Sequence, residues 1–279
     1  MKHTYFINKE KFEVSLDDKS SYSKGTNEVL IDRFEDLTRN KDWFDEGFSK
    51  EKSINFFDKK KLYVSTQKAL KKIISEFYPN LNLEGFTLEK YHNYINETKH
   101  DKIIKKTRRL FPKDLSINVN QIVKRFSKYF NTKLTFKNPI TGDTQWMIVR
   151  INMPKSNNFN TAHKDIYQVF DKFGNIPKMV NIWIPLCGVN ASNSLPLVPR
   201  SHKFPESTII RSKAGSIINN TTYSVASIKS WKESTSLERV PINSNEILIF
   251  SSHLIHGLSY NPNDDITRIS FEFRLYEEL

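Results

Sequence analysis

Along the chain, apolar positions recur at helical spacing in the first half and as alternating or short continuous runs in the second. Leu62, Leu70, Ile73, Ile74 and Phe77 mark one face of a helix over Leu62–Tyr78, with Pro79-Asn80 as its stop signal. Thr87–Leu110 reads as a second helix, with Thr87 as N-cap and basic residues in its last turns to oppose the macrodipole. Asn118–Phe130 reads as a third, capped by Asn118. From Lys133 onward the pattern changes to short strands broken by turns: Leu134–Phe136, Thr144–Met153, Met179–Pro185, Ser194–Val198, Ile209–Arg211, Ile247–Phe250 and Arg268–Tyr276. Many short strands with Gly/Pro-rich turns predict a sandwich or barrel. The expected fold is therefore α+β and mainly β, a double-stranded β-helix (jelly roll) with an N-terminal helical layer. It forms one domain over residues 1–279, mostly helical in 1–132 and jelly-roll core in 133–279. Residues 1–60, acidic and aromatic, predict a few strands or loops and short helices around Glu35–Phe48. Phe204–Arg239, rich in Ser, Thr and Lys and holding Tyr223 and Trp231, reads as an insertion between core strands, either a mobile surface loop or a lid over a substrate.

Composition narrows the class. With 279 residues, 38% hydrophobic and 13% aromatic, the chain can bury a core. Residues 1–40 carry charges every few positions, which predicts no secretory signal. The longest apolar run, Met179–Val189, contains Asn181 and falls short of the roughly 20 residues a membrane helix needs. The single cysteine, Cys187, excludes an intramolecular disulfide and fits a reducing compartment, so a cytoplasmic protein is expected, with Cys187 a small buried strand residue. The net charge of +12 invites a nucleic-acid partner. Most of that excess lies in residues 101–150, where cations such as Lys105, Lys106, Arg108, Arg109, Lys124 and Arg125 interleave with Leu110, Ile122, Phe126 and Phe130. Helical spacing of that kind favours solvated faces of amphipathic helices. An anionic substrate and a nucleic acid are the alternatives.

The chemistry concentrates in Glu246–Leu275. His256 is expected at the end of one strand and Arg268 at the start of the next, so that a loop brings an imidazole and a guanidinium to one end of a barrel. His163 and Asp165, two apart on a strand, would point the same way. With His256 they would complete a two-histidine, one-carboxylate facial triad, a set that suits non-haem Fe(II) and leaves coordination positions open. A His-x-Asp alone is common; its pairing with a distant strand-terminal histidine and a following arginine is more specific. The other candidates have plainer explanations. His253 would face away from His256, His202 would stabilise a turn, and His92 and His100 would lie on a helix surface. Arg274 would sit at a strand end away from the site.

At these residues the second half of the chain, roughly Trp146 to Tyr276, resembles the phytanoyl-CoA dioxygenase family of Fe(II)/2-oxoglutarate-dependent oxygenases. The segments that carry it are AHKDIY, VNIWIPLCGVNASNSLPLVPRSHK, EILIFSSHLIHGLSYN and TRISFEFRLY, in order and spacing. The resemblance implies that His163, Asp165 and His256 bind Fe(II), that Arg268 pairs with the far carboxylate of 2-oxoglutarate, and that Trp183 flanks the co-substrate pocket. It also implies a reaction with dioxygen that hydroxylates a small molecule, an anionic one among the candidates, and releases succinate and CO2. Related halogenases lack the carboxylate that Asp165 supplies, so hydroxylation is favoured, with desaturation or ring closure as further outcomes of the same chemistry. Two positions depart from the family pattern: Leu258 stands where a serine is frequent, and Arg200 replaces a tight-turn glycine. Two other functions stay open at this point, a nucleic-acid-associated oxygenase or binder using residues 101–150, and a non-catalytic jelly-roll binding module.

Overall fold

Strands from both ends of the chain build the sheets. The computed structural model describes residues 2–16, 21–156, 159–168, 174–213, 215–218 and 221–279. The first half contains β1 (Lys2–Ile7), β2 (Glu10–Ser15), β3 (Tyr22–Lys24), α1 (Leu30–Arg33), β4 (Phe48–Lys52), α2 (Lys59–Phe77), α3 (Tyr91–Tyr94), α4 (Glu97–Thr107) and α5 (Val119–Phe130). The second half contains β5 (Leu134–Thr135), β6 (Ile148–Asn152), β7 (Met179–Cys187), β8 (Pro196–Leu197), β9 (Ile209–Ser212), β10 (Ser216–Ile218), β11 (Thr221–Tyr223), β12 (Ile228–Trp231), β13 (Ser236–Arg239), β14 (Glu246–Ser251) and β15 (Arg268–Glu277). No helix among them is long and apolar enough to cross a membrane.

The larger sheet runs β4-β14-β7-β15, and β6 and β5 share the far side of β15. All of its pairs are antiparallel. The other sheet is assembled from shorter pieces, β2-β1-β13-β8 at one end and β12-β9-β3 at the other. Isolated bridges join the two ends: Leu197 to His256, His256 to His163, and Ala162 O accepting from Ile228 N at 2.7 Å. The result is the jelly roll, with the His163 and His256 segments lying side by side at its middle.

Period-two alternation on β15 decides which groups face which way. Ile269, Phe271, Phe273 and Leu275 join Leu70, Ile73, Ile103 and Phe126 of α2, α4 and α5 in one buried hydrophobic cluster. Arg268, Ser270, Glu272 and Arg274 point to the opposite face, toward the second sheet. An inner row of four polar residues is costly to bury unless each is paired or used, which marks the interior as a site.

Several expectations need correction. Thr87–Leu110 is not one helix: Ile95 is extended and Asn96 caps a new start, its side chain accepting from Lys99 N at 3.0 Å, so α3 and α4 are separate. His100 is not at the surface but 2% exposed, bonded to Tyr91 Oη through Nδ1 at 3.0 Å. His92 is part-buried against Thr267 and Asp265. Residues 1–60 carry strands of both sheets, since β1 pairs β13 and β4 pairs β14, so residues 1–132 are mixed rather than mostly helical. Phe204–Arg239 is no surface loop at its ends, because β9 and β12 bury Ile209, Ile228 and Trp231 in a core of their own. The Tyr223 side chain lies outside the described residues.

Candidate functional site

The site begins with backbone pairing. His163 and His256 exchange both main-chain bonds, His163 N to His256 O at 2.9 Å and His256 N to His163 O at 3.0 Å. Neighbours across such a pair project side by side, and the two imidazole centroids lie 4.3 Å apart. Each Nδ1 faces a carbonyl, Thr161 O at 2.7 Å and Leu254 O at 3.0 Å. A carbonyl only accepts, so both rings carry a proton on Nδ1 and turn Nε2, the nitrogen through which a neutral ring would ligate, away from it. Those Nε2 atoms point at one carboxylate, 3.5 Å from Asp165 Oδ1 for His163 and 3.9 Å from Asp165 Oδ2 for His256. One ligand atom from each of the three buried residues lies within 4.8 Å of the others. Two imidazoles presenting Nε2 and one carboxylate so placed fit a divalent iron with positions left open.

Local structure differs from expectation in how it delivers these groups. Asp165 does not continue a strand but opens a 3-10 turn, Asp165–Gln168. Strand β14 ends at Ser251, and residues 252–255 carry the chain across to the second sheet before His256. The close approach depends on Gly257: its φ is +137°, and a Cβ there would sit 2.1 Å from Thr161 O. Leu258 follows at φ +56° and is buried away from the site, while Ser259 lines the cavity in its place. Arg200 takes the left-handed conformation that favours glycine, φ +65°, and its side chain pairs with Glu46, Nε to Oε1 at 2.9 Å.

Charge around the triad is set by Arg274, which the sequence reading placed away from it. Its Nη2 meets Asp165 Oδ1 at 2.5 Å and its Nε meets Oδ2 at 3.3 Å. Burial works against the Asp165 charge, but the Arg274 guanidinium outweighs it and holds the carboxyl well below the usual range. For His256, burial and the neighbouring His163 lower the pKa to about 4, so the ring stays neutral, as a metal ligand must be. The parity of β15 was the available signal for Arg274, since it shares a face with Arg268.

The remaining inner residues divide into two groups. Arg268 is fully buried, its Nε donating to Asn193 O and its Nη1 to Asn152 Oδ1, both at 2.7 Å, with its guanidinium 5.5 Å from the Trp183 ring. Among the described residues its Nη2 has no partner, nor have Trp183 Nε1 and both amide atoms of Asn181. Among the described residues no carboxylate lies within hydrogen-bond reach of Arg268, and burial pulls its pKa down to about 9. Unpaired buried polar groups are expensive, and a cation with one arm free fits a carboxylate ligand. Arg150 and Glu272 instead satisfy each other, Nε to Oε1 at 2.8 Å and Nη2 to Oε2 at 2.9 Å.

The triad opens on a cavity of about 790 Å³ walled by Asn181, Phe250, Ser259, Arg150, Glu272 and Arg274, by Trp146 and Arg109, and by Asp101, Ile104, Lys105 and Arg108. Thr222, Ser224 and Val225 close another side, so part of the Phe204–Arg239 segment does border the cavity. Arg268 and Trp183 form no part of this wall. His253 and His202 are buried outside the triad.

Comparison with known protein families matches residues 14–270 to phytanoyl-CoA dioxygenase (PhyH). No curated protein matches the chain by sequence. Among solved structures, AviO1 from Streptomyces viridochromogenes Tue57 is 14% identical, with a TM-score of 0.46, over 91% of this chain and 96% of that one. EctD from S. alaskensis, solved with 2-oxoglutarate and 5-hydroxyectoine, is 9% identical at a TM-score of 0.48, over 95% and 86%. SnoK, a non-haem alpha-ketoglutarate-dependent carbocyclase from nogalamycin biosynthesis, is 11% identical at 0.43, over 91% and 87%. Likenesses this distant say nothing about this chain's chemistry.

Proposed function

Because the chain belongs to the phytanoyl-CoA dioxygenase family, we propose that it is an Fe(II)- and 2-oxoglutarate-dependent oxygenase that hydroxylates a small molecule, the whole chain acting as one domain. His163, Asp165 and His256 hold the iron, and Arg268 holds the far carboxylate of 2-oxoglutarate. The observation that carries this is the convergence of two Nδ1-protonated histidines and a buried carboxylate within 4.8 Å. Bound together, iron and 2-oxoglutarate supply dioxygen activation, with succinate and CO2 released and an oxygen atom passed to the substrate.

The chain's own contribution is orientation, charge and exclusion of water. Thr161 O and Leu254 O keep each Nε2 aimed at the metal position, the outer-shell role that fixes ring orientation and ligand basicity. Arg274 keeps Asp165 ionised and limits how its two oxygens swing. The guanidinium of Arg268 presents a planar donor to a carboxylate in a dry pocket, where a charge-assisted bond is strongest. Trp183, 5.5 Å from that guanidinium, has an Nε1 with no partner among the described residues. A cavity of about 790 Å³ is in the size range of small-molecule sites.

An anaerobic titration with Fe(II) and 2-oxoglutarate tests this reading: a weak visible charge-transfer band is expected, and slow succinate formation in air only when both are present. No succinate above an iron-free control, with metal occupancy verified, would refute it.

A further inference from the structure

The cations of residues 101–150 divide sharply by direction. Asp101, Ile104, Lys105 and Arg108 all line the triad cavity, and their spacing is that of one helix face. Lys106, on another side of α4, is paired with Glu76 instead. Near the end of this face Arg109 stands 5.2 Å from the ring of Trp146, both on the cavity wall, and Trp146 is 41% exposed. A lysine-rich composition explains neither the direction nor the exposed indole.

Within the cavity, two of the three carboxylates are already taken: Asp165 by Arg274 and Glu272 by Arg150. Lys105 and Arg109 have no ion-pair partner among the described residues, and the described lining holds five cations (Lys105, Arg108, Arg109, Arg150 and Arg274) against three carboxylates (Asp101, Asp165 and Glu272), so its balance is cationic. Low-dielectric walls focus such a field and favour an anionic guest.

The geometry points to an anion-binding rim: the substrate carries a carboxylate or phosphate held by Lys105 and Arg109, with a flat or apolar part against Trp146. That this molecule is also the one oxidised rests on the oxygenase reading; the binding itself does not.

Phenyl phosphate, benzoate and neutral benzyl alcohol are titrated calorimetrically into the protein, metal-free and again with Zn(II) and saturating 2-oxoglutarate, so that the Arg268 position is filled. Both anions should bind more tightly than the alcohol, and their ranking separates phosphate from carboxylate. Affinity should fall with added salt and drop roughly tenfold or more in Lys105→Gln/Arg109→Gln, while Lys106→Gln stays at the parent value. Equal binding of benzyl alcohol, absence of anion binding, or an equal loss in Lys106→Gln would overturn the rim. A short single-stranded oligonucleotide binding far more tightly than phenyl phosphate, through the same two cations, would replace the small-molecule assignment with a nucleic-acid one. Failure of the oxygenase reading shows separately, as missing succinate and a missing charge-transfer band, and leaves probe binding to metal-free protein unchanged.

Discussion

Replacing Arg268 by methionine separates a structural role from an anion seat. As a structural tie, the guanidinium joins Asn193 O and Asn152 Oδ1 at 2.7 Å each. Losing two charged hydrogen bonds of about 1.5–3 kcal/mol apiece would lower the melting temperature by about 6 °C or more. Against that, the cation is buried with no carboxylate in hydrogen-bond reach among the described residues, and burial brings its pKa down to about 9. A base whose folded pKa lies below its unfolded value penalises the folded state while charged, here on the order of 5 kcal/mol at neutral pH. Methionine removes that penalty and keeps the volume of the stem. The two effects offset, so the metal-free variant should melt within about 5 °C of the parent. Binding should respond differently. Truncating one member of a buried charged pair costs about 2–5 kcal/mol, a thirtyfold to several-thousandfold loss of 2-oxoglutarate affinity at about 1.4 kcal/mol per factor of ten. In the parent, 2-oxoglutarate at a hundred times its Kd adds about 2.7 kcal/mol, several degrees in a melt; the variant should show no rise at that concentration. Lysine should restore part of it, since it keeps charge without the fork. Melts with and without 2-oxoglutarate, in the presence of Zn(II), read both quantities. A fall of more than about 10 °C with affinity intact would refute the reasoning and make Arg268 a tie between β6, β15 and the Asn193 loop.

Further tests bear on the rest of the site. His256→Ala should abolish most metal binding, whereas His253→Ala, buried outside the triad, should leave metal stoichiometry by elemental analysis near the parent value; the reverse ranking would dismantle the ligand set. Arg274→Gln leaves Asp165 buried without its counter-charge, so the metal-free protein should lose about 3–5 kcal/mol, while Zn(II), supplying charge of its own, should raise its melting temperature more than it raises the parent's. An equal metal-induced rise in both would show that Arg274 does not balance Asp165. Burial lowers the pKa of His100 to about 4 from 6.5, so the unfolded chain binds a proton there before the folded one does. Stability should therefore fall as pH drops from 6.5 to 4, by up to about 3 kcal/mol from this residue, and denaturant titrations of His100→Asn should show a shallower acid limb.

What the sequence by itself determined is what depends on local period and type. The helices ending at Tyr78 and at Phe130, strands of the second half such as Met179–Pro185 and Ile247–Phe250, and the grouping of His163 and Asp165 with His256 were legible, because alternation and spacing survive whatever the rest of the chain does; the roles expected of Arg268 and Trp183 came from the family resemblance. The break at Asn96 was missed because a capping side chain competes with helical periodicity, and periodicity alone does not show which wins. The strands of residues 1–60 were indistinct for a different reason: β1 and β4 are held by β13 and β14, almost at the other end of the chain, and pairing partners so remote leave no local signature. Only the tertiary structure decided that His163 and His256 lie across one backbone bridge, that Arg274 rather than solvent neutralises Asp165, and that Lys105 faces the cavity while Lys106 does not. Each of these is a matter of which face meets which across the two sheets, and that is set by long-range register and the crossing of residues 252–255.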